Sequence, residues 1–527
     1  MITNPVLRGF NPDPSILRVA DDYYIATSTF EWFPGVQIHH SKDLVHWRLL
    51  VRPLQQCSQL TMLGNPDSGG IWAPCLSYHD GLFYLIYTDV KSWGEHEPFK
   101  DSHNYVVTAP AIGGPWSAPS YLNSSGFDPS LFHDSDGRKW LLNMLWDHRK
   151  GKHAFAGILL QEFDPVTKKL FGPVSNIFTG TSIRVTEGPH VYQKDGYYYL
   201  VTAEGGTTYN HAVTVARSQN LQGPYTVHPD NPLLTAQGNS ELELQKAGHA
   251  SLVETQNGEW YLAHLCGRPL EPLGRCNLGR ETALQKLVWP EGDWPRLAGK
   301  GNAPRLQVAA PALPEHPFAA EPERDDFDSS QLGLSWQTLR IPADEAMLSL
   351  SARPGYLRLY GRESLQSRHR QSLVGRRLQA HEAEAETCLE FAPQHFQQMA
   401  GLAAYYNSRN WVYLRVSRDE TLGKSLNILS CDNGVYDEAL RQDISVDNSA
   451  RVYLKLTFAR ETFSFAYASE VGAWQTIGPR FDAGKLSDDY CSGLSFTGTF
   501  IALCAQDLSG ARQHADFDFF VYRETSQ

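Results

Sequence analysis

The sequence lacks the signals of three large classes of protein. It has no apolar run long enough to cross a membrane. Its N-terminus, "MITNPVLRGFNPDP", has no basic segment followed by an apolar one, as a signal peptide would. Its formal net charge is -12, whereas a protein that binds nucleic acid needs a basic surface to neutralise phosphates. We therefore expect a cytoplasmic protein that has neither a membrane nor a nucleic acid as a partner.

Cysteine supplies no metal or redox motif either. The eight cysteines, at positions 57, 75, 266, 276, 388, 431, 491 and 504, include no Cys-x-x-Cys pair and no spacing typical of zinc ligands. We expect them to be small buried hydrophobic residues. The chain does have 527 residues, of which 42% are hydrophobic and 12% aromatic. This is enough for two or three domains, each with its own core.

One hairpin pattern occurs five times in the first half of the chain. Each copy has a short entry with a small residue or a proline, an apolar strand, a tight turn and an aromatic-rich second strand. The copies are "FNPDPSILRVADDYYIATSTF" from Phe10, "GIWAPCLSYHDGLFYLIYTDV" from Gly70, "GFDPSLFHDSDGRKWLLNMLW" from Gly126, "TEGPHVYQKDGYYYLVTAEGG" from Thr186 and "AGHASLVETQNGEWYLAHLCG" from Ala247. Five copies predict five similar structural units.

The spacing of the copies indicates an all-β fold of a particular kind. Successive copies lie 56 to 62 residues apart, which is enough for a four-stranded antiparallel blade with its loops. Five such blades around one axis form a five-bladed β-propeller. The residues before the first strands of the blades should then face the same place, plausibly the axis. These residues are Asp13, Trp72, Asp128, Glu187 and His249.

Three carboxylates at one opening favour a catalytic site over a structural one. Like charges in a confined pocket repel and raise one another's pKa. Glycosidases use such groups: a protonated carboxyl acts as general acid on the leaving oxygen, and an ionised one activates water or attacks the anomeric carbon. A third can tune and orient the acid. The alternative is that each carboxylate caps a turn through its own backbone, as single Asp-Pro motifs often do.

Several of these motifs resemble the β-xylosidases of glycoside hydrolase family 43. The similarity lies in "NPDPS", "GFDPS", "TEGPH", "AGHASLVETQNGEWYLAHL" and "LGRETALQKLVWPEGDWP". It implies a five-bladed propeller followed by a β-sandwich, and hydrolysis with inversion in one displacement. It also implies that Asp13 is the general base, Asp128 tunes the pKa and orientation of the acid, and Glu187 is the general acid. The repeats alone do not decide which of Asp13 and Glu187 is the base.

Aromatic side chains are expected to hold the sugar, because a sugar ring has C–H groups that stack on apolar faces. Trp72 is a candidate from its place in the repeat, where other blades carry acids. The resemblance adds Phe30 and Trp146, which end the first and third hairpins. The alternative for both is a place in the core.

A basic side chain is the second expectation for substrate binding. Arg280, in "LGRET", matches the substrate-binding arginine of the family, and a guanidinium can hydrogen-bond adjacent hydroxyls and lower the pKa of a neighbouring carboxylate. Arg275 and Arg268 are nearby alternatives, and a surface position is the alternative for all three. Thr207 is carried over from the resemblance in the same way.

His249 does not fit the acid–base scheme. It is either a buried histidine with satisfied hydrogen bonds or a ligand of a cation on the propeller axis, since imidazole is a common metal ligand. Some members of the family hold calcium or another divalent ion there. Calcium takes 6 to 8 oxygen ligands, so water would have to supply most of them. We therefore expect no required cofactor, and calcium or another divalent cation as an option.

The blade pattern ends near residue 297, and a second all-β unit follows. Residues 297–322 are rich in Ala, Pro and Gly without periodicity, as in a linker. We predict a propeller domain over 1–310 and a β-sandwich of the concanavalin or jelly-roll type over 323–527. The resemblance implies that the sandwich lends one residue to the mouth of the active site. Phe500 is our first choice for that residue and Phe496 the alternative.

The resemblance implies that the sandwich closes the site into a pocket, and a closed pocket restricts an enzyme to chain ends. We therefore predict an exo-acting, inverting β-1,4-xylosidase. Its substrates would be short xylo-oligosaccharides, from whose non-reducing ends it releases xylose. The alternatives are an α-L-arabinofuranosidase activity, alone or in addition, a retaining enzyme, and a carbohydrate-binding protein without activity. The resemblance also implies a homo-oligomer, either a tetramer or a dimer.

Overall fold

The computed structural model describes residues 1–448 and 451–525, and its first half is a ring of five antiparallel sheets, here called blades I to V. Each predicted hairpin supplies the first two strands of one blade. The strands are Ser15–Val19, Asp22–Thr27, Gln37–Ser41 and Arg48–Val51 in blade I; Gly70–His79, Leu82–Ser92, Asp101–Ala109 and Ser120–Asn123 in blade II; Ser130–His133, Lys139–Trp146, Phe155–Asp164 and Lys169–Phe178 in blade III; Glu187–Lys194, Tyr197–Glu204, Ala212–Ser218 and Thr226–Val227 in blade IV, with Leu234–Thr235 pairing beside them; and Gln245–Glu254, Trp260–Gly267, Arg280–Val288 and Arg296–Leu297 in blade V. The predicted five-bladed propeller is confirmed.

The first strands of the blades line the axis of the ring. The Ser15 hydroxyl accepts a hydrogen bond from the Leu76 amide of blade II, at 3.0 Å, and the Ser251 hydroxyl of blade V accepts one from the Ile16 amide, at 2.9 Å. First strands of all five blades border a cavity of about 300 Å³. Blades I and V therefore meet, and the sheet ring closes.

The N-terminus is tied to the segment that follows blade V. Strand Ile2–Thr3 pairs with Gln307–Val308, and the Asn4 side chain donates to the Leu284 carbonyl at 2.7 Å. The first part of the predicted linker is thus bound to the propeller, because its backbone groups find partners in the N-terminal strand.

The second half is a sandwich of two large antiparallel sheets, which confirms the predicted fold class. One sheet has the order Leu348–Ser349, Leu357–Tyr360, His514–Glu524, Glu382–Phe391, Val452–Ala459, Thr462–Ala468 and Gln475–Asp482, with Arg324–Asp325 pairing at His514–Glu524. The other has the order Ser372–Arg377, Phe500–Asp507, Gln398–Asn407, Asn410–Asp419, Gly423–Asp432 and Val435–Glu438, with Ile444–Ser445 pairing at Gly423–Asp432. A single 3₁₀ turn, Ala483–Lys485, is the only helical element among the described residues.

Alternating residues of the two sheets form the core of the sandwich. In Val452–Ala459, every second residue is buried, as expected for a strand with one face on a core. Leu454 and Leu456 of this strand belong to the same apolar cluster as Leu402 and Leu414 of the facing sheet. Seven of the eight cysteines are buried, as predicted, and Cys57 is exposed.

The two domains share a strand pair and an aromatic cluster. Strand Trp32–Phe33, between the second and third strands of blade I, pairs with Thr338–Leu339 of the second half. The ring of Trp32 stacks on Phe500 with centroids 3.5 Å apart, and Phe10 packs against the edge of Phe500 at 6.2 Å. This pairing and packing hold the sandwich against the side of the propeller that carries Phe10 and Trp32.

This packing does not support our choice of Phe500 as the residue at the mouth of the site. Phe500 begins the strand Phe500–Asp507, is 0% exposed and has Trp32 against its face. Alternation along a strand predicts which residues are buried, but not whether the layer that they contact is a core or a pocket. Phe496, four residues earlier in a loop, is only partly buried and lies beside Trp72, as described below.

Candidate active site

Two aspartates reach the site from the same kind of turn. Asp13 and Asp128 are each followed by Pro-Ser, and the serine begins the first strand of a blade. Their φ angles are 56° and 54°, in the left-handed region that Asp tolerates better than most residues. His249, before the corresponding residues of blade V, has a φ of 48°. The shared motif therefore has a shared backbone conformation.

Glu187 and Trp72 do not occupy that turn position, which corrects part of the predicted equivalence. In blade IV the left-handed residue is Gly188, with a φ of 57°, and Glu187 stands one residue earlier. A Cβ atom added to Gly188 would lie 3.0 Å from Nε2 of His249, so a side chain at this position is disfavoured. The third carboxylate consequently comes from the preceding residue, at a bulge where the pairing of Glu187–Lys194 shifts register.

Asp13 has the environment of an ionised carboxylate. It is 5% exposed; its Oδ2 accepts a hydrogen bond from the Ser28 hydroxyl at 2.6 Å, and its Oδ1 accepts one from Nη1 of Arg280 at 3.2 Å. Burial raises the pKa of Asp13, but the charges of Arg280 and His249 and the Ser28 hydrogen bond outweigh it and hold the pKa below its usual value. Asp13 is therefore a charged base at neutral pH.

Asp128 and Glu187 have the opposite tendency. Burial, and then the negative charges of Glu187 and Asp13, raise the pKa of Asp128 well above its usual value, although the amide of Gly188 donates to its Oδ2 at 3.1 Å. Burial, and then the charge of Asp13, raise the pKa of Glu187 to about 8, with Arg280 opposing. The site therefore combines one carboxylate with a lowered pKa and two with raised pKa values, as a separate acid and base require.

Arg280, a residue of the propeller, joins Asp13 to the sandwich. Its Nη1 donates to Asp13 and, at 3.1 Å, to the hydroxyl of Thr207, while its Nη2 donates to the backbone carbonyl of Phe496 at 3.0 Å. Its Nε is buried without a partner among the described residues. Arg280 and Thr207 thus lie together beside Asp13. Their binding of substrate stays a prediction.

The two alternatives to Arg280 are engaged elsewhere. Arg268 pairs with the buried Glu281, with Nε 2.6 Å from Oε2. Arg275 pairs with Asp482 of the sandwich at 3.0 Å, and both side chains are largely exposed. Both therefore bind carboxylates other than Asp13, Asp128 and Glu187, so the structure favours Arg280 among the three.

Aromatic rings from both domains form a wall beside the acids. Trp72 is at the centre: its ring centroid lies 6.1 Å from that of Phe30 and 5.5 Å from that of Phe496. Its indole N–H donates to the Ser68 carbonyl at 2.8 Å, and the Phe496 amide donates to the Ser68 hydroxyl at 3.0 Å. Ser68 therefore fixes the propeller tryptophan and the sandwich phenylalanine at once. The sequence shows no motif around Ser68 that predicts this role.

Trp146 continues this wall on the side of blade III. Its ring packs 6.1 Å from Phe127, the residue before Asp128, and its indole N–H donates to the Pro98 carbonyl at 2.9 Å. Phe30 and Trp72 thus belong to one apolar cluster, and Trp146 packs against it. Their contact with a substrate stays a prediction.

Lys100 is a charged residue of the wall that the sequence analysis missed. Its Nζ lies 4.6 Å from the ring centroid of Trp146, 4.9 Å from that of Trp93 and 5.8 Å from that of Trp72. Burial lowers the pKa of Lys100 to about 8, opposed by the charges of Glu187 and Glu97. Its sequence context, "GEHEPFK", is a polar loop, in which nothing distinguishes one lysine as part of a site.

His249 packs between the base and blade IV. Its Nδ1 lies 3.7 Å from Oδ1 of Asp13, and burial lowers its pKa despite the attraction of that carboxylate. Within residues 1–448 and 451–525, no group of three or more His, Cys, Asp or Glu side chains is placed to hold a metal ion. A divalent cation at His249 therefore stays a prediction, and no cluster of ligand residues among the described residues supports it.

The pKa values predict a bell-shaped dependence of kcat/KM on pH. In the predicted role of base, Asp13 must be ionised, and its lowered pKa places the acidic limb below the usual range of an aspartate. In the predicted role of acid, Glu187 must be protonated, so activity should fall as the pH rises past about 8. Initial rates at low substrate concentration between pH 3 and 10, with folding checked at each pH, would measure both limbs. A rate that keeps rising above pH 9 would contradict the assignment of the acid.

Comparison with known proteins agrees with this arrangement. The family description "Glycosyl hydrolases family 43" matches residues 2–295, and "Beta xylosidase C-terminal Concanavalin A-like domain" matches residues 324–523. The chain is 53% identical to a β-xylosidase of Bacillus subtilis and 49% identical to a xylosidase/arabinosidase of Humicola insolens, in both cases over 99% of its length and at least 97% of theirs.

A solved structure gives the same result for the fold. The crystal structure of a xylan β-1,4-xylosidase from Bacillus halodurans C-125 superposes with a TM-score of 0.98 at 61% identity, covering 99% of this chain and 100% of that one. Among the described residues, no helix is both long and apolar enough to span a bilayer. From the sequence motifs, the two-domain fold and these similarities we conclude that the chain belongs to glycoside hydrolase family 43.

Proposed function

We propose that the protein is an exo-acting, inverting β-1,4-xylosidase that releases xylose from the non-reducing ends of short xylo-oligosaccharides. The observation that carries this proposal is the different environment of each of the three acids. Arg280 donates a hydrogen bond to Asp13 and lowers its pKa, whereas burial raises the pKa of Glu187 and of Asp128. Such a set can deprotonate water and protonate a leaving oxygen in the same step.

Each acid has one part in the proposed reaction. Asp13 accepts a proton from the attacking water as its oxygen bonds to the anomeric carbon. The bond from that carbon to the leaving oxygen breaks, and Glu187 donates its proton to this oxygen. Burial and the charge of Asp13 favour the protonated form of the acid, and Asp128, which accepts a hydrogen bond from the Gly188 amide next to Glu187, orients it. Proton exchange with water then restores both groups, and no cofactor takes part.

The aromatic wall supports an exo mode of action. Trp72 and Phe30 from the propeller and Phe496 from the sandwich stand next to the base and Arg280. A wall built from two domains suits a pocket for one terminal sugar better than a groove that a long chain could cross. Short xylo-oligosaccharides are therefore the proposed substrates, and the homo-oligomer and the cytoplasmic location stay predictions.

α-L-Arabinofuranosidase activity is the second candidate function. One of the similar proteins, from Humicola insolens, is named for both activities. Arg280 and Thr207 can hydrogen-bond hydroxyl groups of either sugar, because a guanidinium fork binds adjacent hydroxyls irrespective of ring size. We expect any arabinosidase activity to use the same three acids.

Proton NMR of the first product tests both the reaction and its stereochemistry. With xylobiose, we expect the α-anomer of the non-reducing xylose to appear first, before mutarotation. An aryl α-L-arabinofuranoside, measured beside it, gives the preference between the two sugars. β-Xylose as the first product would mean a retaining enzyme, and sugar binding without turnover of either substrate would mean a carbohydrate-binding protein.

A further inference from the structure

The segment that leads into Glu187 has an unfavourable backbone conformation. Arg184 and Val185 are consecutive residues with φ angles of 67° and 56°. A β-branched residue such as Val185 is rarely found in the left-handed region, and such residues persist only where the surroundings fix them. Thr186 follows, and Glu187 then begins its strand. Something must hold residues 181–186 in place for the acid to have a defined position.

The carboxylate of Glu204 makes the contacts that hold this segment. Its Oε1 accepts hydrogen bonds from the Thr181 amide and from the Thr186 hydroxyl, both at 2.8 Å, and its Oε2 accepts one from the Thr181 hydroxyl. The next residue, Gly205, donates its amide to the Arg184 carbonyl at 2.8 Å. Both ends of the strained segment are thus bound to one turn, at the end of the strand beside Glu187.

Burying the Glu204 carboxylate is energetically unfavourable for a contact with only a structural role. It is 0% exposed and forms no ion pair among the described residues, so its hydrogen-bond partners in the structure are neutral donors. Burying a carboxylate without an opposite charge is costly, and an amide or hydroxyl could join the same donors at lower cost. A carboxylate, however, can accept several short hydrogen bonds in a fixed geometry, which suits a group that must position another.

The space between Gly180 and Glu204 is tightly filled. A Cβ atom on Gly180, which has a φ of 90°, would lie 1.9 Å from the Thr186 hydroxyl and 3.0 Å from Oε1 of Glu204. On the other side, the turn from Glu204 leads to Thr207, whose hydroxyl accepts from Arg280. The carboxylate therefore lies between the residues that lead to the acid and those that support the base.

We propose that Glu204 is a positioning residue for the proton donor: through Thr181 and Thr186 it fixes the strained segment 181–186 and thereby the carboxyl group of Glu187. The proposal rests on the proposed function, in which Glu187 protonates the leaving oxygen. It gives Glu204 no contact with the substrate.

Dependence on the leaving group tests this proposal. A misplaced general acid slows the cleavage of xylobiose, whose leaving hydroxyl needs a proton, but hardly slows that of 2,4-dinitrophenyl β-D-xyloside, whose leaving group departs as an anion. For Thr186→Val, which removes one hydrogen bond to Glu204 with little change of shape, we expect kcat/KM for xylobiose to fall about 10–100-fold. The value for the aryl xyloside should change less than about threefold. Glu204→Gln should show the same pattern.

Thr387→Val is the matched control. Thr387 is equally buried, and its hydroxyl donates to the Phe519 carbonyl at 2.6 Å, but it lies in the sandwich. Its ratio of the two kcat/KM values should equal that of the wild type. If Glu204→Gln does not fold, as judged by circular dichroism, Thr186→Val decides the question alone.

The outcomes separate this proposal from the proposed function. An equal loss on both substrates in Thr186→Val, or no loss on either, would overturn the positioning role while leaving a β-xylosidase intact. A wild type that does not cleave xylobiose but cleaves aryl α-L-arabinofuranosides would overturn the proposed substrate. The same comparison would then be made with aryl arabinofuranosides of high and low leaving-group pKa, and the selective loss would still support Glu204.

Discussion

Glu187→Gln should lower kcat/KM for xylobiose about 10²–10⁴-fold, the contribution expected of a general acid. The amide has the shape of the carboxyl group but no proton to give to a leaving hydroxyl. The loss should shrink as the leaving group becomes a better one, because 2,4-dinitrophenolate needs no protonation. A series of aryl β-D-xylosides with leaving-group pKa values from about 4 to 10 would measure this slope for the wild type and the variant.

The control for this variant is Glu259→Gln. Glu259 is a glutamate of blade V that pairs with Lys286 at 2.6 Å, away from the site. We expect its slope to match that of the wild type. If Glu187→Gln lost activity equally on all leaving groups, Glu187 would have another role, and the acid would have to be sought elsewhere, first at Asp128, whose pKa is also raised.

Asp13→Asn should lower kcat/KM for every substrate to a similar degree, about 10²–10⁴-fold. Water must be deprotonated whatever the leaving group, so the loss of rate should not shrink with a better leaving group. The asparagine keeps one oxygen to accept from Arg280, and the Ser28 hydroxyl can rotate to accept from its NH2 group, which favours an intact fold. Activity with xylobiose and with the dinitrophenyl xyloside, together with xylose binding by calorimetry, would show a loss of rate with retained affinity.

Asp43→Asn is the matched control for the base. Asp43 is also a buried aspartate of the blade I region, and it accepts hydrogen bonds from the amides of Val45 and His46. Its activity per folded molecule should stay near that of the wild type. A smaller loss for Asp13→Asn on the aryl xyloside than on xylobiose would mean that Asp13 assists the leaving group, and would exchange the roles of Asp13 and Glu187.

The five blades could be predicted because each one repeats its local signals. A turn, an apolar strand and an aromatic strand recur within 21 residues, and local hydrogen bonding converts each copy into a hairpin. Which residue of each copy reaches the site could not be predicted in the same way. The bulge at Glu187 and the contact of His249 with Gly188 shift blade IV by one residue, and both depend on neighbouring blades.

The other features that could not be predicted depend on contacts between segments that are distant in the sequence. The choice between Phe496 and Phe500 depends on Trp32, which covers Phe500 from the propeller side. Lys100 and Ser68 come from polar loops, and only the meeting of those loops with tryptophans and with the sandwich gives them a place in the site. Such meetings leave no periodicity in the sequence, so hydrophobic patterning cannot reveal them.

The bonds of Arg280 have a consequence for how this chain can evolve. One guanidinium holds the catalytic aspartate of the propeller and the backbone of Phe496 in the sandwich. A recombination event could replace the second half of the gene with another sandwich. Arg280, which lowers the pKa of Asp13, would then lose its hydrogen bond to the Phe496 carbonyl. We therefore expect the two halves to be inherited as a unit, and new specificities to arise by substitution within the pair rather than by exchange of its members.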